Sequence, residues 1–181
     1  LALAISSFFV QAEPETTKTP AWDVNAPQGQ FETVDIKVSQ GSWMNISVSP
    51  DGKTLAFDLL GDIYTMPITG GNATLLSKDI GWQMQPVFSP DGRSLLYGAQ
   101  KRTDFGNDNV RLTRFDLAAK TATVLAGNID LSPQQWFFSK DSQMLYFLAE
   151  DKARVSLFSV PAAGGPVKQV LRQASNEQVQ M

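Results

Sequence analysis

Short apolar runs interrupted at every second position recur along this chain. Asp62-Ile63-Tyr64-Thr65-Met66-Pro67, Val110-Arg111-Leu112-Thr113-Arg114-Phe115 and Val155-Ser156-Leu157-Phe158-Ser159-Val160 each place apolar side chains on alternate positions. A period of two predicts half-buried β-strands. Before each lies another pair of apolar runs around a polar turn. Met44–Val48, Pro86–Phe88 and Gln135–Phe138 lead into the turns, and Thr54–Asp58, Ser94–Tyr97 and Met144–Leu148 leave them. A fourth run closes each unit at Ala73–Leu76, Thr121–Leu125 and Val167–Leu171, after turns at Thr69-Gly70-Gly71-Asn72, Ala118-Ala119-Lys120 and Ala163-Gly164-Gly165. The chain therefore reads as one unit of four strands, repeated.

The turn inside each first hairpin marks the repeat. It is Ser49-Pro50-Asp51-Gly52, then Ser89-Pro90-Asp91-Gly92 at a spacing of 40 residues, then the decayed copy Ser139-Lys140-Asp141-Ser142 another 50 residues on. Pro presets φ near −65°, Asp accepts nearby backbone N–H groups, and Gly enters the left-handed region that returns the chain to the next strand. Ser142 in place of Gly predicts a local cost of about 1 kcal/mol, because a Cβ is unfavourable there. Ser49, Pro50, Asp51, Gly52, Ser89, Pro90, Asp91, Gly92 and Asp141 are thus assigned as structural turn residues, with a binding role for Asp51 or Asp91 as the alternative.

Four antiparallel strands in 40 to 50 residues make the blade of a β-propeller. The expected fold is all-β, an incomplete β-propeller of about three four-stranded antiparallel blades near residues 30–79, 80–127 and 128–171. Rings close with about four to eight blades, so the expectation is a piece of a larger propeller. Such a piece should associate or stay partly molten until further blades cover its outer faces.

Composition narrows the chemistry. The formal charge is −3 and no basic run exceeds Lys101-Arg102, which argues against a nucleic-acid partner. The chain contains no His and no Cys. A Ser-His-Asp triad, a thiolate nucleophile, a disulfide and any His- or Cys-ligated metal are therefore beyond it. No catalytic residue, cofactor site or metal site is expected. Residues 1–12, Leu-Ala-Leu-Ala-Ile-Ser-Ser-Phe-Phe-Val-Gln-Ala, read as the apolar part of a truncated secretory signal peptide cleaved after Ala12. A polar linker over 13–29 and a polar tail over 172–181 flank the repeats. The expected location is periplasmic or secreted, with no membrane span after cleavage.

The Ser-Pro-Asp-Gly repeats resemble the PD-type propeller repeats of TolB and of many bacterial hydrolases, over about residues 22–171. Trp22-Asp23-Val24-Asn25, Gly41-Ser42-Trp43-Met44, Phe57–Tyr64 and Pro67-Ile68-Thr69-Gly70-Gly71 look like the propeller preceding secreted amidohydrolase domains. Leu145–Asp151 and Leu157–Gly165 look like the propeller of prolyl oligopeptidase-family serine peptidases, whose Gly-x-Ser-x-Gly elbow is absent here. The resemblance implies a non-catalytic propeller segment of an exported hydrolase, amidohydrolase-type by a narrow margin, acting as substrate gate or docking surface. Its partner would be the downstream catalytic domain of the same protein or an envelope protein. The alternatives are a serine peptidase parent and a TolB-like protein-binding module of the cell envelope.

Two further features concern binding. The longer connection Gly98–Asn109 carries Arg102, Asp104, Asn107 and Asp108, which could contact a substrate at one propeller face or simply be solvated. Trp43, Trp82, Trp136, Phe88 and Phe138 read as packing between blades at matching repeat positions, with a carbohydrate or peptide platform as the alternative.

Overall fold

The computed structural model describes residues 32, 37–77, 81–101, 108–127 and 129–172. The apolar segment 1–12, the linker 13–29, Arg102, Asp104, Asn107 and most of the tail lie outside the described residues. Every regular element among the described residues is a strand. Blade 1 comprises β1 (Ile46–Val48), β2 (Thr54–Leu59), β3 (Asp62–Pro67) and β4 (Thr74–Leu75). Blade 2 comprises β5 (Gln83–Phe88), β6 (Ser94–Ala99), β7 (Arg111–Asp116) and β8 (Thr121–Val124). Blade 3 comprises β9 (Pro133–Phe138), β10 (Met144–Asp151), β11 (Arg154–Pro161) and β12 (Lys168–Leu171). Each blade is an antiparallel meander, each strand bonded to its sequence neighbours. β5 begins earlier than the apolar pattern indicates, since Gln83 and Met84 pair with Ala99 and Gly98 and Gln85 bulges within the sheet despite two polar side chains, and β9 begins earlier too, with Pro133 set opposite Ala149.

Strand alternation makes each blade two-faced, and the blades stack face to face. In β6, Leu95 and Tyr97 point toward blade 1, where they meet Ala56 and Ile63 together with Phe88 and Phe115 of their own sheet. Leu96, with Leu112 and Leu125, points the other way, against Trp136, Leu145, Phe147, Phe158 and Val160 of blade 3. The middle blade is covered on both sides, so five consecutive residues of β6 are buried. Each fully buried Leu or Phe in these seams contributes about 1.5–3 kcal/mol. Blade 1 shows the contrast: Val48 stands at the repeat position of Phe88 and is 51% exposed, where Phe88 is 8% exposed.

The topology defines two ends. The Ser-Pro-Asp-Gly turns and the β3–β4, β7–β8 and β11–β12 turns lie at one, here the turn end. The β2–β3, β6–β7 and β10–β11 connections and the crossings between blades lie at the other, the loop end.

Candidate functional site

At the turn end the marker residues form one repeated network. The Ser49 hydroxyl accepts the Thr54 N–H at 2.9 Å and donates to Asp51 Oδ1 at 2.6 Å, and the same Asp51 oxygen accepts the Lys53 N–H at 3.1 Å. Ser89 and Asp91 repeat this with the Ser94 and Arg93 N–H groups, and Ser139 and Asp141 with those of Met144 and Gln143. The serine hydroxyl, then the backbone N–H, holds each of the three carboxyls below the usual carboxylate range. Gly52 and Gly92 adopt φ of 69° and 70°.

Ser142 occupies the same left-handed region at φ 60°, and its hydroxyl accepts the Asp91 N–H at 3.1 Å. The departure from Gly in the third turn thus ties blade 3 to blade 2. A groove of about 390 Å³ separates the first two turns, lined by Asp51, Asp91, Phe88 and Lys120 among others. One oxygen of each carboxylate in it is occupied by its own turn.

The loop end is irregular. Asp58, 7% exposed, shares the blade 2 side of β2 with Ala56. Its carboxylate accepts the Asn45 N–H at 2.7 Å, the Asn45 side-chain amide at 2.8 Å and the Gln85 N–H at 2.7 Å. Gln85 sits in the bulge of β5 with φ 54°, and its carbonyl accepts the Trp136 indole N–H at 3.0 Å. One chain of hydrogen bonds therefore runs through all three blades.

The next repeat of the Asp58 position is Gly98. A Cβ there would lie 2.5 Å from Trp136 Cη2 and 2.7 Å from Val110 Cγ1, so only Gly leaves room for the indole. The sequence signal for Asp58 is a carboxylate on the core face of an apolar strand. Its partners, 27 residues away and in another blade, are not readable from the pattern.

Asp108, from the loop singled out in the sequence, closes the base of that loop. Its carboxylate accepts the Lys101 N–H at 2.8 Å and its carbonyl accepts the Gln100 amide at 3.0 Å. Asn109 donates to Asp130 at 3.0 Å and the Val110 N–H donates to the Ser132 hydroxyl at 3.0 Å, joining the same loop to the crossing into blade 3.

The aromatic assignment needs correction. Trp136 and Phe88 are buried between blades, but Trp43 is 99% and Trp82 is 46% exposed. Of the five, only Phe88 and Phe138 occupy the same repeat position; the three Trp residues fall at three different ones, and tertiary contacts decide their fates separately. Among the described residues no group of three or more acidic side chains could hold a metal ion.

No family model matches the chain. Over 139 residues it is 28% identical to dipeptidyl-peptidase 5 of Porphyromonas gingivalis, covering 70% of this chain and 20% of that protein. The chain thus spans about a fifth of the length of this relative. Among solved structures, a TolB of Agrobacterium tumefaciens superposes with a TM-score of 0.61 at 21% identity, over 72% of this chain and 50% of that one. Dipeptidyl peptidase 4 of Porphyromonas gingivalis superposes with a TM-score of 0.58 at 13% identity, over 69% of this chain and 25% of that one. Three four-stranded antiparallel sheets stacked face to face, together with these neighbours, make the chain an all-β, TolB-like propeller segment.

Proposed function

We propose that this chain is a non-catalytic part of the propeller of an exported serine peptidase, with its loop end turned toward the catalytic part of the parent as a gate or docking surface. The observation that carries the reading is the 28% identity over 139 residues to a dipeptidyl-peptidase. It shifts weight from the amidohydrolase-type parent, which keeps the support of the Trp22–Asn25 and Gly41–Met44 motifs. With no His or Cys in the chain, the parent's chemistry must come from residues outside it. Export is supported by the apolar run Leu1–Ala12. The loop end is the better candidate for the functional face because its connections vary in length and sequence, whereas the turn end repeats one solution three times.

The test compares the 181-residue chain with the full product of its gene, on chromogenic dipeptide substrates. The chain alone should match buffer, with or without zinc. The full product should release dipeptides and be silenced by a fluorophosphonate. Chelator-sensitive amide hydrolysis would instead establish an amidohydrolase parent, and a full product that binds envelope protein without turnover would establish a binding module.

A further inference from the structure

At the turn end the turns repeat, but the two seams between blades do not. In the seam of blades 2 and 3, Arg114 of β7 donates from its guanidinium to the Ala162 carbonyl at 2.7 Å, and the Ser142 hydroxyl accepts the Asp91 N–H at 3.1 Å. One side chain from each blade thus closes that seam.

Strand register gives the matching positions in the seam of blades 1 and 2. Arg114 pairs with Leu96 and Thr65 with Ala56, and Leu96 and Ala56 each lie seven residues past the serine of their turn. Thr65 therefore stands where Arg114 stands. Leu117 matches Ala162, since their N–H groups bond the equivalent Arg93 and Gln143 carbonyls, and Gly92 matches Ser142. Both replacements shorten the side chain. Thr65 ends at its hydroxyl, Gly92 has no side chain, and among the described residues the Leu117 carbonyl and the Asp51 N–H make no counterpart of the two bonds. In their place lies the groove of about 390 Å³, with Thr65, Leu117, Gly92 and Asp51 all in its lining.

The lining suits one kind of group. Leu76, Phe88 and Leu117 supply apolar surface, and Asp51 and Asp91 supply two carboxylates. One oxygen of each is held by its own turn, and the other has no hydrogen-bond partner among the described residues. Serine and backbone N–H bonds favour the ionised form of both. Lys120, the one cation in the lining, bonds neither carboxylate among the described residues. The volume falls at the lower end of the range for small-ligand sites, about 300–1,000 Å³. A guanidinium on an apolar stem matches this surface: its planar fork of donors can serve a carbonyl and two carboxylates together, while the stem packs on apolar side chains. A Lys ammonium is more strongly hydrated and lacks the fork.

We propose that this groove docks an arginine side chain of a second polypeptide, which takes in the seam of blades 1 and 2 the place that Arg114 takes in the next seam. The chain itself displays the binding mode, a guanidinium against the carbonyl that follows a third strand. The site lies between two blades that cover one another, at the end opposite the loops, and does not rest on the peptidase-parent reading.

The probe is the capped peptide acetyl-Gly-Arg-Gly-amide, titrated into the full product of the gene after fluorophosphonate treatment and followed by saturation-transfer NMR. The citrulline peptide is its neutral isostere. Saturable binding with a Kd of about 1 mM is expected, at least about tenfold tighter than for citrulline and weakened by added salt. The double variant Asp51→Asn, Asp91→Asn leaves each turn an amide oxygen but removes both charges, and should weaken binding about tenfold. Thr65→Arg supplies the guanidinium from blade 1 itself. It should abolish probe binding and melt at or above the temperature of the parent product. Circular dichroism checks the folding of both variants.

Absence of saturable binding overturns the proposal. So does equal affinity for the citrulline peptide, undiminished binding in either folded variant, or a Thr65→Arg product that melts well below its parent.

Discussion

The two ends of the same three blades follow different physical rules. At the turn end one local solution is used three times: serine hydroxyl, aspartate carboxylate and returning backbone N–H close each hairpin within six residues. At the loop end the corresponding positions diverge. Asp58 in blade 1 reaches across to the Gln85 N–H, whereas Gly98 in blade 2 recedes to admit Trp136, whose indole bonds the Gln85 carbonyl. Left-handed non-Gly residues also gather there: Trp43, Leu60, Gln85, Ala126, Lys152 and Ala153 lie at or near the loop end, against Lys120 and Ser142 at the turn end. Strain of this kind persists only where surrounding structure imposes it, and it tends to mark working surfaces. One end of the propeller is built for repetition and the other for difference.

The largest expected effect probes the loop end. Trp136→Ala removes a buried indole, its bond to Gln85 and the side chain packed over Gly98, and should destabilise the chain by about 3–5 kcal/mol. Urea denaturation followed by circular dichroism checks this. A loss under about 1 kcal/mol would mean that the cross-blade chain of hydrogen bonds does not hold this end together.

A smaller effect tests whether position changes an identical turn. Gly92→Val should cost about 1–3 kcal/mol, because a β-branched side chain is strained at its φ of 70°. Gly52→Val should cost less. A Cβ at Gly92 makes an ordinary van der Waals contact with Pro50 Cδ of the neighbouring turn at 3.7 Å, so the γ-methyls of Val beyond it would press on that turn, whereas a Cβ at Gly52 meets nothing within 4 Å. Equal shifts in midpoint would show that the turns act independently of the blade beside them.

The smallest effect is electrostatic and belongs to the turn end. Asp51, Asp91 and Asp141 have carboxyls held below their ordinary value by serine hydroxyl and backbone N–H bonds. A carboxyl lowered in the folded state adds stability above its unfolded value of about 3.9, and that contribution disappears as pH falls through the lowered folded value. Denaturation midpoints should therefore be flat from neutral pH to about 5 and fall below about 4. The triple variant Asp51→Asn, Asp91→Asn, Asp141→Asn should flatten the acid limb. An unchanged acid limb would place the pH dependence elsewhere in the molecule.

The all-β class, the four-strand unit and the hairpin turns were legible in the sequence because each depends on residues close together in it. Period-two alternation sets strand faces, and Pro, Asp and Gly set the turn within four positions. Even Ser142 could be recognised locally as a strained departure from Gly, although its bond to Asp91 of the neighbouring turn could not. The reading of three Trp residues as one class of packing residue shows where local inference ended. Trp136, within β9, is 7% exposed, whereas Trp43, just before β1, is 99% exposed.

What separates them is which sheet face lies opposite, and that is a property of stacking between blades. The same holds for Asp58, whose burial makes sense only with the Gln85 N–H from blade 2 in place, since a carboxylate so enclosed needs its hydrogen bonds supplied by the protein. Sequence by itself determined the repeating strands and turns, through steric preferences and hydrogen bonds that act over a few residues. Tertiary structure decided which aromatics are covered and which carboxylate bridges blades, because those outcomes depend on contacts between residues 27 to 51 positions apart.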